Sequence, residues 1–285
     1  MMQPSRVPGP APVVLVVLTL FSCACAQSPS SPTAPSAALS LGAVPQSGTP
    51  PPAVPLPAPG GLGATRFMAF GDSITCGVTS SFDGARLFIP ANCAEPSYAY
   101  PRQLDSILES RYAVQDFTVS NEGDPGELAV NAVSSGRFAQ AMAAVRPQGL
   151  LLLEGINDLN NDQGISSAVN ALSRMIDTAR VYNTTVLVST MFQTCPSTSP
   201  GGLFRPNSAD KITAFNDAIR TMASGRQNVY VVDLYGAFGN NCDANGGIGL
   251  LGADGLHPTA SGYSVMASTF ANAMASIFQV RGSFE

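Results

Sequence analysis

The sequence is poor in charge and in the side chains that usually build metal or nucleic-acid sites. Only 12% of its 285 residues are charged, and 13 arginines and one lysine face 19 acidic residues. The net charge of −5 argues against a nucleic-acid-binding protein held by a basic patch, and no cluster of cations marks an anionic-lipid surface. Tryptophan is absent, and a single histidine, His257, excludes a multi-histidine metal centre. No apolar run reaches 18 residues, so no transmembrane helix is expected.

The first 26 residues are typical of a secretory signal peptide. Residues 11–22 form an apolar stretch that is too short to span a bilayer but fits the apolar core of such a signal. An Ala-x-Ala sequence at 24–26 predicts cleavage that leaves Gln27 as the new N-terminus. The alternative is a bacterial lipoprotein signal, in which Cys23 is lipidated and anchors the protein. Both alternatives predict export, either to the medium or to the periplasm.

Residues 27–63 have the composition of a disordered linker. They are rich in proline, serine and alanine, and no charged residue occurs between Arg6 and Arg66. Such a segment buries too little apolar surface to offset the entropy cost of ordering the chain. Residues 64–285 are expected to form one domain, with a core large enough to fold alone.

Five short apolar runs in this domain alternate with amphipathic stretches of helical length. Runs of this kind, rich in valine, leucine and phenylalanine, are typical of strands that are covered on both faces. The alternation predicts an α/β fold, a parallel sheet of five strands with helices on both sides. The apolar runs are 66–70, 116–120, 149–155, 184–190 and 228–233, and the helical stretches are 98–112, 127–145, 165–182, 208–224 and 259–279.

Polar residues follow four of the five runs, where a parallel sheet normally binds its ligand. Residues 71–75 follow the first run, 121–126 the second and 155–158 the third, while 254–258 lie beyond the fifth. Because the carboxyl ends of parallel strands share one edge of the sheet, these segments are expected to meet there.

Three of these residues have the chemistry of a serine nucleophile and its activating groups. A serine hydroxyl needs an adjacent base, normally a histidine, which a third group orients. His257 is the only available histidine, and Asp254 precedes it at a distance that one tight turn can close. Asp254 could alternatively be a simple turn or helix-cap residue.

An oxyanion intermediate would also need preorganised N–H donors. Ser73 and Gly126 can offer backbone N–H groups, and Asn157 can offer its side-chain amide. Two structural alternatives stay open: Asn157 could cap the helix that follows it, and Gly126 could be a turn glycine.

Four segments together resemble the four sequence blocks of the SGNH hydrolases, also called GDSL-type esterases and lipases. In chain order they are Gly-Asp-Ser at 71–73, Gly126, Gly-x-Asn-Asp at 155–158 and Asp254-x-x-His257. The resemblance covers about residues 65–280. It implies a flavodoxin-like three-layer α/β/α fold with strand order 2-1-3-4-5. It also implies ester hydrolysis through an acyl-enzyme, with no metal and no organic cofactor.

The resemblance assigns a role to each matching residue. Ser73 would be the nucleophile, His257 the base and Asp254 the group that orients the base. Ser73, Gly126 and Asn157 would form the oxyanion hole.

The match departs from the family pattern at two points. Ile74 replaces the leucine of the GDSL block, a chemically silent change. In the second block Gly123 and Gly126 compete for one role, and the position of Asn121 within that block favours Gly126.

Four cysteines remain if cleavage follows residue 26, and none of them forms a Cys-x-x-Cys pair. In an oxidising compartment they are expected to form disulfides rather than a metal site. Of three possible connectivities, the positions of the cysteines along the predicted fold favour Cys76–Cys93 and Cys195–Cys242.

The sequence thus predicts an exported serine esterase that acts on short acyl esters or on acetyl groups of carbohydrate. This preference depends on the lack of a long hydrophobic lid and of a basic patch. A lysophospholipase or thioesterase of the same fold stays possible, as does a non-catalytic surface protein that binds glycans. The acidic residues Glu122, Asp124 and Glu127 near Gly126 are either solvated or repel anionic substrates. The oligomeric state is left open.

Overall fold

Five parallel strands form the central sheet of the computed structural model, which describes residues 60–82, 84–196, 207–239 and 249–280. The strands in this part of the chain are β1 (Arg66–Gly71), β2 (Thr79–Ser80), β3 (Leu87–Phe88), β4 (Thr118–Gly123), β5 (Gly149–Leu153), β6 (Thr185–Ser189) and β7 (Val229–Val232). The sheet order is β4-β1-β5-β6-β7, and β2 pairs with β3 in a separate antiparallel hairpin. Counted among the sheet strands alone this is 2-1-3-4-5, so the predicted fold class is confirmed. The numbering differs only because the hairpin was not predicted.

Helices cover both faces of the sheet and complete the three layers. In the described residues they are α1 (Ser73–Cys76), α2 (Tyr100–Arg111), α3 (Ala129–Ser134), α4 (Arg137–Val145), α5 (Ile156–Asn160), α6 (Ile165–Val181), α7 (Ala209–Ala223), α8 (Leu234–Phe238) and α9 (Ala260–Phe278). Helix α2 packs against α9, whereas α6 packs against α3, α4 and α7. Right-handed crossovers in this strand order place these two groups of helices on opposite faces.

The hydrophobic core lies on the central strands because both of their faces are covered. Every residue of β5 is buried, and the four residues 67–70 of β1 are fully buried. This explains why both runs are continuously apolar rather than alternating.

Two elements differ from their sequence predictions. The second strand runs from Thr118 to Gly123 rather than over 116–120, since it pairs with β1 along its whole length. As an edge strand, β4 leaves its polar side chains partly exposed, so they are tolerated there. The predicted helix over 127–145 is two helices, α3 and α4, because Gly136 adopts a left-handed conformation (φ 81°) between them.

The packed chain begins earlier than residue 64, the predicted domain boundary. Leu62 is buried, and its backbone N–H and carbonyl are both hydrogen-bonded to the side-chain amide of Gln115. Leu62 also pairs with Gln279 after the last helix, and Gly63 donates to the carbonyl of Phe278. Residues 61–63 therefore belong to the domain rather than to the linker.

Several predictions concern residues outside the described ranges. These are the signal peptide over 1–26, the lipid anchor at Cys23, the linker as far as residue 59, and the pairing of Cys242. Among the helices of the described ranges, none combines the length and the apolar character needed to cross a membrane.

Candidate active site

Ser73 lies at the turn that joins β1 to the short helix α1. Asp72 caps this helix, since its Oδ1 accepts a hydrogen bond from the N–H of Ile74 at 2.9 Å. Gly71, the last residue of β1, packs so tightly against Thr75 and the carbonyl of Leu153 that a Cβ atom would overlap both. The turn therefore places Ser73 at the first position of the helix, at the carboxyl edge of the sheet.

His257 and Asp254 occupy one tight turn before α9, as their spacing predicted. The Oδ1 of Asp254 accepts from the backbone N–H groups of Leu256 and His257, each at 3.1 Å, which closes the turn. Its Oδ2 lies 2.5 Å from His257 Nδ1, and His257 Nε2 lies 2.9 Å from Ser73 Oγ. With the Nδ1–H donating to the carboxylate, Nε2 is left to accept the serine proton. A carboxylate, an imidazole and a hydroxyl in this order form the arrangement that activates a serine nucleophile.

The surroundings of Asp254 keep its carboxyl group ionised, as this arrangement requires. Burial raises its pKa, but the hydrogen bond and charge of His257 and two backbone N–H donors more than compensate. The net effect lowers the pKa of Asp254 below its ordinary value, so the carboxylate stays ionised and keeps the imidazole oriented.

The two glycines of the second block have different environments. The N–H of Gly123 donates to Asn121 Oδ1 at 3.0 Å, and a Cβ on Gly123 would overlap the backbone of Cys76. Gly126 has a positive φ of 86° and open space around it, and its N–H donates to no acceptor in the described residues. Gly123 thus serves close packing, whereas Gly126 has the free N–H that an oxyanion donor needs.

Asn157 does not cap its own helix. It lies in the first turn of α5, and its Nδ2 donates to the carbonyl of Glu127 at 2.8 Å and to Asp72 Oδ2 at 3.3 Å. Its side chain thus bridges the Gly126 loop and the residue before Ser73. The structure therefore brings together all five predicted site residues, although they come from four separate segments.

The sequence profile of the GDSL-like lipase/acylhydrolase family matches residues 69–265, more than half of the chain. The chain belongs to this family. Members of the GDSL family are carboxylic ester hydrolases, and so is this protein.

Solved structures of similar fold include other members of this enzyme class. The lipase/acylhydrolase from Enterococcus faecalis is 19% identical, with 77% of this chain and 100% of that chain covered and a TM-score of 0.57. The acetyl xylan esterase AlAXEase is 20% identical (73% and 98% covered, TM-score 0.55). A carbohydrate esterase family 3 protein from Talaromyces cellulolyticus is 19% identical (75% and 97% covered, TM-score 0.52). These likenesses show the fold. No curated protein sequence matches the chain.

Two buried carboxyl groups that sequence reasoning missed lie beside the site of this GDSL hydrolase. Asp72 is fully buried, and burial raises its pKa to about 7, although the N–H of Ile74 and the charge of His257 oppose the shift. Glu154 is 2% exposed and has an unpartnered Oε1; burial and then the charge of Asp72 raise its pKa well above the ordinary value. The Gly-Asp-Ser segment could have pointed to Asp72 as a site residue. Glu154 lies within an apolar run, where no local pattern indicates a functional carboxyl group.

The acidic residues near Gly126 are not equivalent. The side chain of Glu127 is only 7% exposed and forms a salt bridge with Arg137, so the alternative of a solvated side chain is wrong for this residue. The side chain of Asp124 is 55% exposed, and its Oδ2 lies 3.9 Å from Nε of the same arginine. The salt bridge between Glu127 and Arg137 joins residues ten positions apart, and no local sequence pattern predicted it.

The Cys76–Cys93 disulfide is confirmed, with the two Cα atoms 4.6 Å apart. It joins the end of α1 to the segment that precedes α2, and Asn121 Nδ2 donates to the carbonyls of Thr75 and Cys93 beside it. Cys195 also takes part in a disulfide, but its predicted partner Cys242 lies outside the described residues. That pairing stays a prediction.

Proposed function

We propose that this GDSL hydrolase is an exported serine esterase that hydrolyses short acyl esters or acetyl esters of carbohydrate. The observation that carries the proposal is the contact of 2.9 Å between Ser73 Oγ and His257 Nε2, with Asp254 directly behind the imidazole.

The reaction follows from this order of groups. As Ser73 Oγ attacks the ester carbonyl, its proton passes to His257 Nε2, and the positive charge on the ring faces the carboxylate of Asp254. The N–H groups of Ser73 and Gly126 stabilise the oxyanion, together with Asn157 Nδ2, which exchanges its long hydrogen bond to Asp72 (3.3 Å) for the oxyanion. His257 then returns the proton to the leaving alcohol, which frees the alcohol and leaves an acyl-enzyme. A water molecule repeats the cycle, releases the acid and restores Ser73.

Two features support a small or carbohydrate ester as substrate. Two of the similar structures carry the names acetyl xylan esterase and carbohydrate esterase. Asp124 and Glu127 both pair with the single cation of Arg137, so this group beside Gly126 keeps a net negative charge, which disfavours anionic head groups.

A substrate panel tests the proposal. Purified protein is assayed on acetylated xylan, on aryl esters of increasing chain length, on an acyl thioester and on a lysophospholipid, with a Ser73→Ala variant as control. We expect the highest kcat/KM on acetyl or other short acyl esters. A preference for lysophospholipid or thioester would contradict the proposed substrate class and assign the preferred one instead. No turnover of any member would instead favour the glycan-binding alternative.

We also propose the domain order of a signal peptide over 1–26, a linker that begins at residue 27 and a hydrolase domain. The apolar stretch at 11–22 and the uncharged segment that follows it support this order. The N-terminus of protein recovered from an expressing culture tests it. Gln27 as the first residue indicates secretion, a diacylglyceryl Cys23 indicates a lipoprotein, and an intact residue 1 contradicts export.

A further inference from the structure

Arg137, the first residue of α4, binds the ends of two strands and one loop of the candidate active site. Its Nε donates to both carboxylate oxygens of Glu127, at 2.7 and 2.8 Å, and its Nη2 also donates to that carboxylate. Nη1 donates to the carbonyl of Glu122 in β4 at 3.1 Å, and Nη2 to the carbonyl of Gly71 in β1 at 3.4 Å. The guanidinium carbon lies 4.1 Å from the centre of the Phe70 ring. One side chain thus links the end of β1, which leads to Ser73, to the segment 122–127, which carries Gly126.

Glu127 connects this arginine to the candidate oxyanion hole. It directly follows Gly126, and its own carbonyl accepts the hydrogen bond from Asn157 Nδ2. A shift of Glu127 would therefore move both the Gly126 N–H and the acceptor that orients the Asn157 amide.

Asp158 holds the other end of the same loop. Its carboxylate oxygens accept from the N–H of Ala129 at 2.7 Å and the N–H of Val130 at 3.2 Å, at the start of α3. Only Leu128 lies between Glu127 and this anchor at Ala129. The loop at Glu127 is thus held from two sides, by Asp158 at the start of α3 and by the ion pair with Arg137.

We propose that Arg137 is a positioning residue for the oxyanion hole, which it sets through the carboxylate of Glu127. The inference rests on the proposed function, since it assigns the oxyanion role to Gly126 and Asn157. An oxyanion donor is effective only within a few tenths of an ångström of its best distance, so a small displacement of the loop lowers the rate of the chemical step.

The geometry requires an arginine rather than any cation. The guanidinium binds the Glu127 carboxylate with two nitrogens and still reaches two backbone carbonyls. A lysine keeps the charge but has one nitrogen, so it cannot hold all three partners in one plane. Arg137→Lys therefore tests the position of the loop rather than the presence of charge.

Arg226 offers a matched control. Its side chain is 25% exposed against 26% for Arg137, and it also joins separate segments, through Asp177 and Ser173 in α6. It makes none of the contacts that Arg137 makes with the site. Arg226→Lys therefore reports what the loss of a comparable arginine does to the fold alone.

We expect Arg137→Lys to lower kcat for a short aryl ester about 10- to 100-fold with little change in KM, since ground-state binding does not use the oxyanion hole. Arg226→Lys should leave kcat within twofold. Glu127→Gln, which keeps the backbone carbonyl but removes the charge, should lower kcat in the same direction. Rates are referred to the concentration of folded protein, and Glu127→Gln carries the same test if Arg137→Lys does not fold.

Combination with Asn157→Ala separates positioning from general damage. If Arg137 acts through the oxyanion hole, Arg137→Lys should lower kcat by a much smaller factor in the Asn157→Ala background than in the wild type. An equal fold-decrease in kcat in both backgrounds, or a kcat for Arg137→Lys within twofold of wild type, would overturn the inference. Turnover by the wild type that Ser73→Ala abolishes establishes the proposed function separately, so either result would reject only the role of Arg137.

Discussion

At the scale of single residues, the candidate chemistry converges on the hydroxyl of Ser73. Ser73→Ala removes only this oxygen, which contacts His257, and leaves the helix cap at Asp72 in place. We expect kcat on a short aryl ester to fall by several orders of magnitude, with little change in the free energy of unfolding. Steady-state kinetics and urea unfolding measure the two quantities. A variant that keeps more than a tenth of wild-type kcat would place the nucleophile elsewhere.

Asn157 can be tested by the same separation of activity from stability. Because its amide faces the Gly126 loop rather than its own helix, Asn157→Ala should lower kcat about 10²–10³-fold, as the loss of one oxyanion donor does. A structural role alone predicts a loss of roughly 1 kcal/mol in stability with unchanged kcat. Measuring both on one variant decides between them.

The buried carboxyl of Asp72 predicts a pH dependence of stability. The folded protein keeps this proton up to about pH 7, whereas the unfolded chain releases it near the ordinary value of 3.8. Unfolding therefore releases a proton between these values, and the free energy of unfolding should fall as pH rises across this window. Asp72→Asn retains an oxygen acceptor for Ile74 but cannot ionise. In this variant the decrease of the unfolding free energy with pH should therefore be smaller by roughly 2–4 kcal/mol. Urea unfolding between pH 4 and pH 8 measures the slopes, and equal slopes in both proteins would contradict the assignment.

At the scale of elements, the disulfide from Cys76 to Cys93 ties α1 to the segment before α2. It closes a loop across 17 positions of sequence. On the chain-entropy model its loss costs about 3 kcal/mol. We therefore expect Cys93→Ala to lower the free energy of unfolding by about this amount without reductant. It should also lower kcat, since α1 begins with Ser73.

The control for this prediction uses the reductant itself. Dithiothreitol should destabilise the wild type more than Cys93→Ala, because only the wild type has this bridge to lose. Equal losses in both proteins would show that the bridge adds nothing to stability.

At the scale of the whole molecule, the two ends of the domain are joined. Leu62 is buried and pairs with Gln279, and Val280 donates to the carbonyl of Gly61 at 3.0 Å. A chain that begins at residue 64 should therefore be less stable than one that begins at residue 60. We expect a difference of about 2–4 kcal/mol, the range for the loss of one buried leucine side chain.

Urea unfolding of the two chains measures this difference, and Leu62→Ala in the longer chain separates the side chain from the backbone contacts. The kcat of both chains should agree, since these contacts lie at the opposite end of the strands from Ser73. Equal stability of the two chains would return the domain boundary to residue 64.

Much of the fold was predictable because it depends on local patterns. Continuous apolar runs indicated buried parallel strands, and the resemblance supplied their order. The β2–β3 hairpin was not predicted because each of its strands has only two residues, too few for a recognisable pattern. The break at Gly136 was missed because apolar periodicity continues across it, while one backbone angle ends the helix.

The sequence by itself determined the fold class, the enzyme family and the residues expected to carry the reaction. A single histidine leaves one possible histidine base, and its partners follow strands whose ends must meet in a parallel sheet. Only the tertiary structure decided that Gly123 packs closely while the N–H of Gly126 meets no acceptor within the described residues, and that Glu127 is held by Arg137. It also decided that Leu62 closes the domain. These facts depend on contacts between side chains and backbone groups from distant segments, and neither composition nor local periodicity encodes such contacts.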